Sequence, residues 1–292
     1  MEFGSVKFFR RVISLTVLVI IVALIVAICI TGVSRSNLKE KLTSAQDQLT
    51  EAQQQLDGTK VSRIKTDDLP YQEMYPEMYA EPAEEYTVAN KTVYLTFDDG
   101  PSAVTERILD VLDRYGVKAT FFTQGQADEN NLKIMKRAAE EGHAIGVHTY
   151  THDYLTIFAN PEAFFSDFNL EYQQIYETTG VRPEICRFPG GTVNKYSELC
   201  RTQICAELLR RGFSYYDWNA TAVSSSRGSS VDDIVKNGID TGADRNRIIM
   251  LLHDSAHETN TPQAVEELIE YYQGKGYSFA KLTNDVQPIT FD

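Results

Sequence analysis

Thr96-Phe-Asp-Asp-Gly-Pro101 closes the apolar run Val93 to Phe97. A short β-branched and aromatic run stopped by Gly-Pro reads as a buried strand that ends abruptly, which sets Asp98 and Asp99 on the loop past its C-terminal end. In α/β folds that edge of the sheet carries the chemistry. Side chains at i and i+1 of a regular strand face opposite ways, so the two carboxylates suit two jobs rather than one shared proton. Taken alone, Asp-Asp-Gly-Pro is equally a polar turn, and the rest of the chain decides.

From Lys91 onward, helical and strand-like stretches alternate. Ile108, Val111, Leu112 and Tyr115 mark a helix face closed by Gly116, and Ala119 to Thr123 is a short strand. Asn131 to Glu141 is a helix stopped by Gly142, and Ala144 to Val147 is a strand ending at His148. A helix from Pro161 to Thr179, a strand from Ile185 to Phe188 and a helix from Tyr196 to Arg211 follow. Phe213 to Tyr216, a helix near Val231 to Ile239, the strand Ile248 to Leu252 and a helix from Pro262 to Tyr272 complete the series. Six or so strands separated by helices predict a parallel α/β sheet or barrel.

The residues just past each strand carry the functional signal. They are Asp98 and Asp99; His148-Thr-Tyr-Thr-His152; Arg187-Phe-Pro-Gly-Gly191; Asp217-Trp218; and His253-Asp254. Singly each has a bland reading, as an incidental His pair, a surface ion pair, a strand-end histidine or plain packing. All of them fall on one edge of the sheet. Together they supply an Asp-His-His metal triad with open positions, a second carboxylate and a further His, the parts of a hydrolytic site.

The 292-residue chain is 42% hydrophobic, enough for a core. Its formal charge of -13 argues against a nucleic-acid partner. Val12 to Val33 is 22 residues without a charge, preceded by Lys7, Arg10 and Arg11. That length spans a bilayer, and the basic flank predicts a cytoplasmic N-terminus (1–11), a single-pass membrane helix (12–33) and an extracellular remainder. A cleaved signal peptide is the alternative. In 34–57, Leu38, Leu42, Ala45, Leu49, Ala52 and Leu56 follow a heptad seam, read as a helical stalk that is either a weak homodimer or a lone helix. Residues 58–90 lose the periodicity and carry Pro70, Pro76 and Pro82 among glutamates, an acidic linker whose Tyr and Met residues suit the domain surface. Residues 91–292 are read as the catalytic domain. Cys186, Cys200 and Cys205 allow at most one bridge between them and are read as structural.

Five ordered motifs, Thr96-Phe-Asp-Asp-Gly-Pro101, His148-Thr-Tyr-Thr-His152, Arg187-Phe-Pro-Gly190, Asp217-Trp218 and Leu251-Leu-His253-Asp254, resemble those of the NodB-like polysaccharide deacetylases, the fourth carbohydrate esterase family. The resemblance covers Lys91 to the C-terminus. It implies a distorted (β/α) barrel and a divalent metal, most often zinc, with cobalt or nickel also serving. It implies that Asp99, His148 and His152 bind the metal, Asp98 is the general base, Arg187 holds Asp98, His253 is the general acid and Asp217 pairs with His253. Trp218 and Leu251 would line the acetyl pocket, and the Gly190 N–H would donate to the oxyanion. Many members have an aromatic after the proline where this chain has Gly190, so one aromatic wall of the sugar groove is expected to be missing.

The implied activity is metal-dependent removal of acetyl from N-acetylglucosamine in cell-wall peptidoglycan, by an enzyme held at the cell membrane with its catalytic domain outside. The alternatives are another acetylated polymer (chitin-like, exopolysaccharide, or O-acetyl xylan) and a non-catalytic glycan-binding module.

Overall fold

The computed structural model describes residues 69–223 and 229–291. The expected membrane helix (12–33), the stalk (34–57) and the first part of the linker (58–68) lie outside the described residues. Among the described residues no helix is long and apolar enough to cross a membrane.

The packed unit begins at Leu69. A one-turn helix, α1 (Pro70–Glu73), is followed by β1 (Thr92–Gly100), α2 (Ala103–Tyr115), β2 (Thr120–Thr123), α3 (Glu129–Glu140), β3 (Ala144–Val147) and α4 (Tyr154–Ile157). Then come α5 (Pro161–Thr179), β4 (Ile185–Cys186), α6 (Arg201–Arg210), β5 (Ser214–Tyr215), β6 (Ala220–Thr221), α7 (Val231–Gly242), β7 (Arg247–His253), α8 (Thr261–Gly274) and β8 (Ser278–Phe279). The strands lie in the order β5-β4-β3-β2-β1-β7-β6, with β8 on β1, and every ladder is parallel. The two ends of that row, β5 and β6, do not pair, so the sheet is a distorted half-barrel.

β1 is buried at eight of its nine positions, as a strand covered on both faces must be, and this is why its sequence is a continuous apolar run instead of an alternating one. Helix ends follow local chemistry. Ser102 caps α2 in a reciprocal box with Thr105, and Gly116 ends that helix at φ +62°. Asn160 accepts from the Ala163 N–H at 2.8 Å ahead of Pro161, which opens α5. Such caps are each worth about 1 kcal/mol.

Two expectations change. The helix expected from Tyr196 starts only at Arg201, because Asn194 takes up the local backbone groups. Its Oδ1 accepts from Tyr196 and Ser197 N–H (2.9 and 3.0 Å), and its Nδ2 donates to the carbonyls of Pro189 and Gly191 (3.2 and 2.9 Å). Residues 69–80, read as the part of the linker whose Tyr and Met residues suit the domain surface, belong to the packed unit itself. Tyr71 and Met78 are buried, and the buried Arg211 guanidinium donates to the carbonyls of Tyr71, Met74, Tyr75 and Met78 while pairing with Glu207 at 2.6 Å. Among the described residues the three cysteines are free: Cys186 and Cys200 are buried, and Cys205 is half-buried.

Aromatic packing fixes the exit of β4. Phe188 stacks on Phe164 and Phe158 at 5.3 and 6.2 Å between ring centroids. Burying such a ring is worth about 1.5–3 kcal/mol, which holds the neighbouring Arg187 and the loop beyond it.

Candidate metal centre

The strand reading of Asp98 and Asp99 needs a correction. β1 continues through both, and its register on β2 shifts between Asp98 and Gly100. Asp99 has φ +73°, a region where a residue with a Cβ is strained. This bulge cancels the usual alternation, and both carboxylates turn into one site. Two other non-glycine residues of the site, Thr149 (φ +74°) and His152 (φ +54°), are left-handed as well. Backbone outliers of this sort persist only where surrounding bonds enforce them.

The enforcing group around the histidines is Asp167 on α5, which no sequence motif indicated. Its carboxylate accepts the N–H groups of Tyr150 (2.5 Å) and Thr151 (3.1 Å) and the Thr151 hydroxyl (2.5 Å), all inside the loop between His148 and His152. His148 is buried, and its Nδ1–H donates to the Arg187 carbonyl at 2.8 Å, so Nε2 is left with its lone pair free. That Nε2 lies 3.6 Å from Asp99 Oδ1, and His152 Nε2 lies 3.2 Å from the same oxygen. One ligand atom from each of the three residues lies within 4.8 Å of the others. Asp99 Oδ1 is buried without a hydrogen-bond partner. An orphaned carboxylate oxygen facing two imidazole nitrogens costs free energy unless a cation sits among them, so the donor set fits a divalent metal. Burial pushes the His148 imidazole down to about 3, against the pull of Asp99, which keeps it in the neutral form a ligand needs.

Asp98 is buried beside this triad. Its Oδ1 accepts from Arg187 Nη1 at 2.9 Å, and its Oδ2 is 3.8 Å from His148 Nε2. Burial raises its carboxyl above the usual range, opposed by Arg187 and then by His253. A more basic carboxylate suits a proton acceptor. Arg187 also donates to Thr96 Oγ1 (2.7 Å), the Tyr216 carbonyl (3.0 Å) and the Asp217 carbonyl (3.1 Å), and lies over the Phe122 ring at 4.4 Å.

His253, at the end of β7, is half-buried across the site, with Nε2 3.9 Å from Asp99 Oδ2. The expected pairing with Asp217 is not formed. The buried Asp217 carboxylate accepts from Thr192 N–H (2.8 Å), Thr192 Oγ1 (2.5 Å) and Phe291 N–H (2.6 Å), and it makes no contact within 4 Å of the His253 ring nitrogens. It braces the loop after Arg187 against the C-terminal residues instead. Asp254 does not pair with its neighbour His253 either. Its Oδ2 takes the Thr105 hydroxyl at 2.5 Å, and burial pushes its carboxyl up to about 8.

Gly190 has φ +73°, and among the described residues its N–H has no acceptor, which leaves it available as a donor. Trp218 is half-buried edge-to-face against Phe291 at 4.9 Å, and Leu251 is buried on β7 opposite Thr96. An aromatic from another loop stands beside Gly190. The half-buried Tyr154, two residues past His152, lies edge-on to that imidazole at 5.3 Å and next to Tyr196 at 5.2 Å. Burial, then Asp99 and Asp98, raise its phenol above the ordinary value.

The family model described as polysaccharide deacetylase matches residues 85–204. YheN of Bacillus subtilis (strain 168), which carries the same family description, is 32% identical over 94% of this chain and 92% of its own. The bifunctional xylanase/deacetylase of Pseudobutyrivibrio xylanivorans is 32% identical over 68% of this chain, matching 31% of its own length. Among solved structures, the catalytic domain of peptidoglycan N-acetylglucosamine deacetylase from Eubacterium rectale ATCC 33656 superposes with a TM-score of 0.66 at 33% identity, over 74% of this chain and 98% of that one.

Proposed function

This chain belongs to the polysaccharide deacetylase family, hydrolases of amide or ester bonds in acetylated glycans, and we propose that its own substrate is the N-acetyl group of N-acetylglucosamine in peptidoglycan. The observation that carries this reading is the convergence of His148 and His152 Nε2 on the orphaned Oδ1 of Asp99, with the basic Asp98 alongside. The likeness to the Eubacterium rectale domain supports the choice of polymer. Two imidazoles and a carboxylate with open positions match catalytic zinc, and cobalt or nickel suit the same donors.

When bound, such an ion polarises the acetyl carbonyl and lowers the pKa of a water at the site. Asp98 takes the proton of the attacking water, held in place by Arg187 and made more basic by burial. The Gly190 N–H donates to the carbonyl oxygen as it becomes negative. His253, facing Asp98 and Asp99 from β7, delivers a proton to the departing amine, so that the C–N bond breaks to give acetate and a free amino sugar. The uncharged segment 12–33 supports a place outside the membrane, held by a single N-terminal helix.

Acetate release from purified peptidoglycan, chitin oligomers and acetylated xylan tests the reading. Peptidoglycan is expected to be the best substrate, with no release from any polymer by Asp99→Ala. Xylan O-acetyl is the second reading, favoured by the resemblance to the xylanase/deacetylase, and faster release from xylan than from peptidoglycan would replace the first with it.

A further inference from the structure

Residue 190 and Tyr154 compete for one volume. A Cβ built on Gly190 would lie 3.0 Å from the Tyr154 hydroxyl oxygen and 3.1 Å from its Cε1, tighter than side chains tolerate without displacement. At φ +73° a side chain there would be strained in any case. The glycine therefore leaves room for a ring from another loop, and the end of that ring nearest residue 190 is its hydroxyl. Tyr154 is also fixed in place. It packs against Phe158 at 6.1 Å, against Tyr196 at 5.2 Å and perpendicular to the His152 imidazole at 5.3 Å. Among the described residues its hydroxyl makes no hydrogen bond, and the neighbouring Gly190 N–H makes none. Two unused donors thus stand side by side at the edge of the metal centre, one of them on a ring held by three aromatic contacts.

We infer that Tyr154 is a further catalytic residue: its phenolic O–H donates, together with the Gly190 N–H, to the acyl oxygen of the substrate as that oxygen takes on negative charge, while its ring replaces the groove wall that an aromatic at position 190 would have formed. The inference rests on the reading of the site as an acetyl-glycan hydrolase. A preorganised donor aimed at developing charge contributes mainly in the transition state, which separates this role from simple packing.

The test compares the metal-loaded wild type with Tyr154→Phe and Tyr154→Ala, using an acetylated chito-oligomer. Acetate release gives kcat and KM, titration calorimetry gives binding of the oligomer, and elemental analysis gives metal content. The Phe variant is expected to keep metal content, oligomer affinity and KM within about twofold while kcat falls about 10²-fold, the scale of losing one such donor. The Ala variant is expected also to bind the oligomer more weakly. Wild-type kcat in the Phe variant overturns the assignment. Loss of bound metal in that variant overturns it too, because Tyr154 would then act only by supporting His152. An active wild type with an unaffected Phe variant sinks the Tyr154 role alone, whereas a wild type inactive on every acetylated glycan sinks the functional reading and this inference with it.

Discussion

Asp98 and Asp99, adjacent in the chain, both reach the same imidazole nitrogen: Asp98 Oδ2 is 3.8 Å and Asp99 Oδ1 is 3.6 Å from His148 Nε2. The left-handed backbone at Asp99 makes this geometry, and their surroundings then separate their tasks. Asp98 is tied to Arg187, while Asp99 keeps an oxygen free for an ion. Asp99→Ala is therefore expected to lose both metal and turnover. Asp98→Asn should keep stoichiometric metal by elemental analysis while kcat falls 10²- to 10⁴-fold, the range for a missing general base. Equal turnover in Asp98→Asn would refute the base assignment.

Asp167 holds the loop that carries both histidines by accepting from three donor groups, the N–H of Tyr150 and the N–H and hydroxyl of Thr151. Supporting groups of this kind typically set metal affinity by 10- to 100-fold. Asp167→Ala is expected to weaken metal binding on that scale in a chelator competition, with activity restored by excess ion. Unchanged affinity would mean that the loop is held by its other contacts.

Glu171, fully buried on α5, has its carboxyl pushed up to about 8 by burial, opposed by a 2.7 Å bond from Thr123 and reinforced by Asp167. A raised folded-state value means that the folded chain holds a proton the unfolded chain releases. Stability from this group is whole below about pH 4.5 and is lost progressively as pH rises to about 8. Glu171→Gln removes that dependence. Its denaturant midpoint should match the wild type near pH 4, exceed it increasingly up to pH 8, and run parallel above. A constant difference across the range would exclude the titration.

Arg211 is buried and donates to Glu207 and to five backbone carbonyls of residues 71–78. Arg211→Ala removes those bonds, leaving the Tyr75 carbonyl only the Met78 N–H, and leaves Glu207 with Arg210 alone. Breaking a buried pair costs about 3–5 kcal/mol, and the second arginine puts the expected loss near the lower end. Chemical denaturation should show it, and limited proteolysis should cut between residues 69 and 90 in the variant before it cuts the wild type.

Strand ends and helix stops are legible in the sequence because buried parallel strands must be apolar runs and because glycines at 116, 142 and 180 close helices in the left-handed conformation. The candidate metal-binding group is legible for a related reason, as Asp99 and His148 stand at the ends of such runs and His152 lies four residues on. The bulge at Asp99 is not, since its φ is enforced by tertiary contacts that no local pattern records. Asp167 reads as one more acid on a helix, and its role exists only because that helix packs against the His148 loop. The partners of Asp217 are equally hidden: Phe291 lies 74 positions away and bonds through its backbone. β6 and β8, two residues each, carry no periodic signal at all. Tyr154 stands beside a ligand in the sequence, yet its importance appears only once Gly190 is seen to yield space to it.

The grip of Arg211 on residues 71–78 also bears on mechanics. Any pull arriving along the chain from before Leu69 meets that clasp of carbonyls ahead of β1, so the clasp yields first and the strand bearing Asp98 and Asp99 is spared.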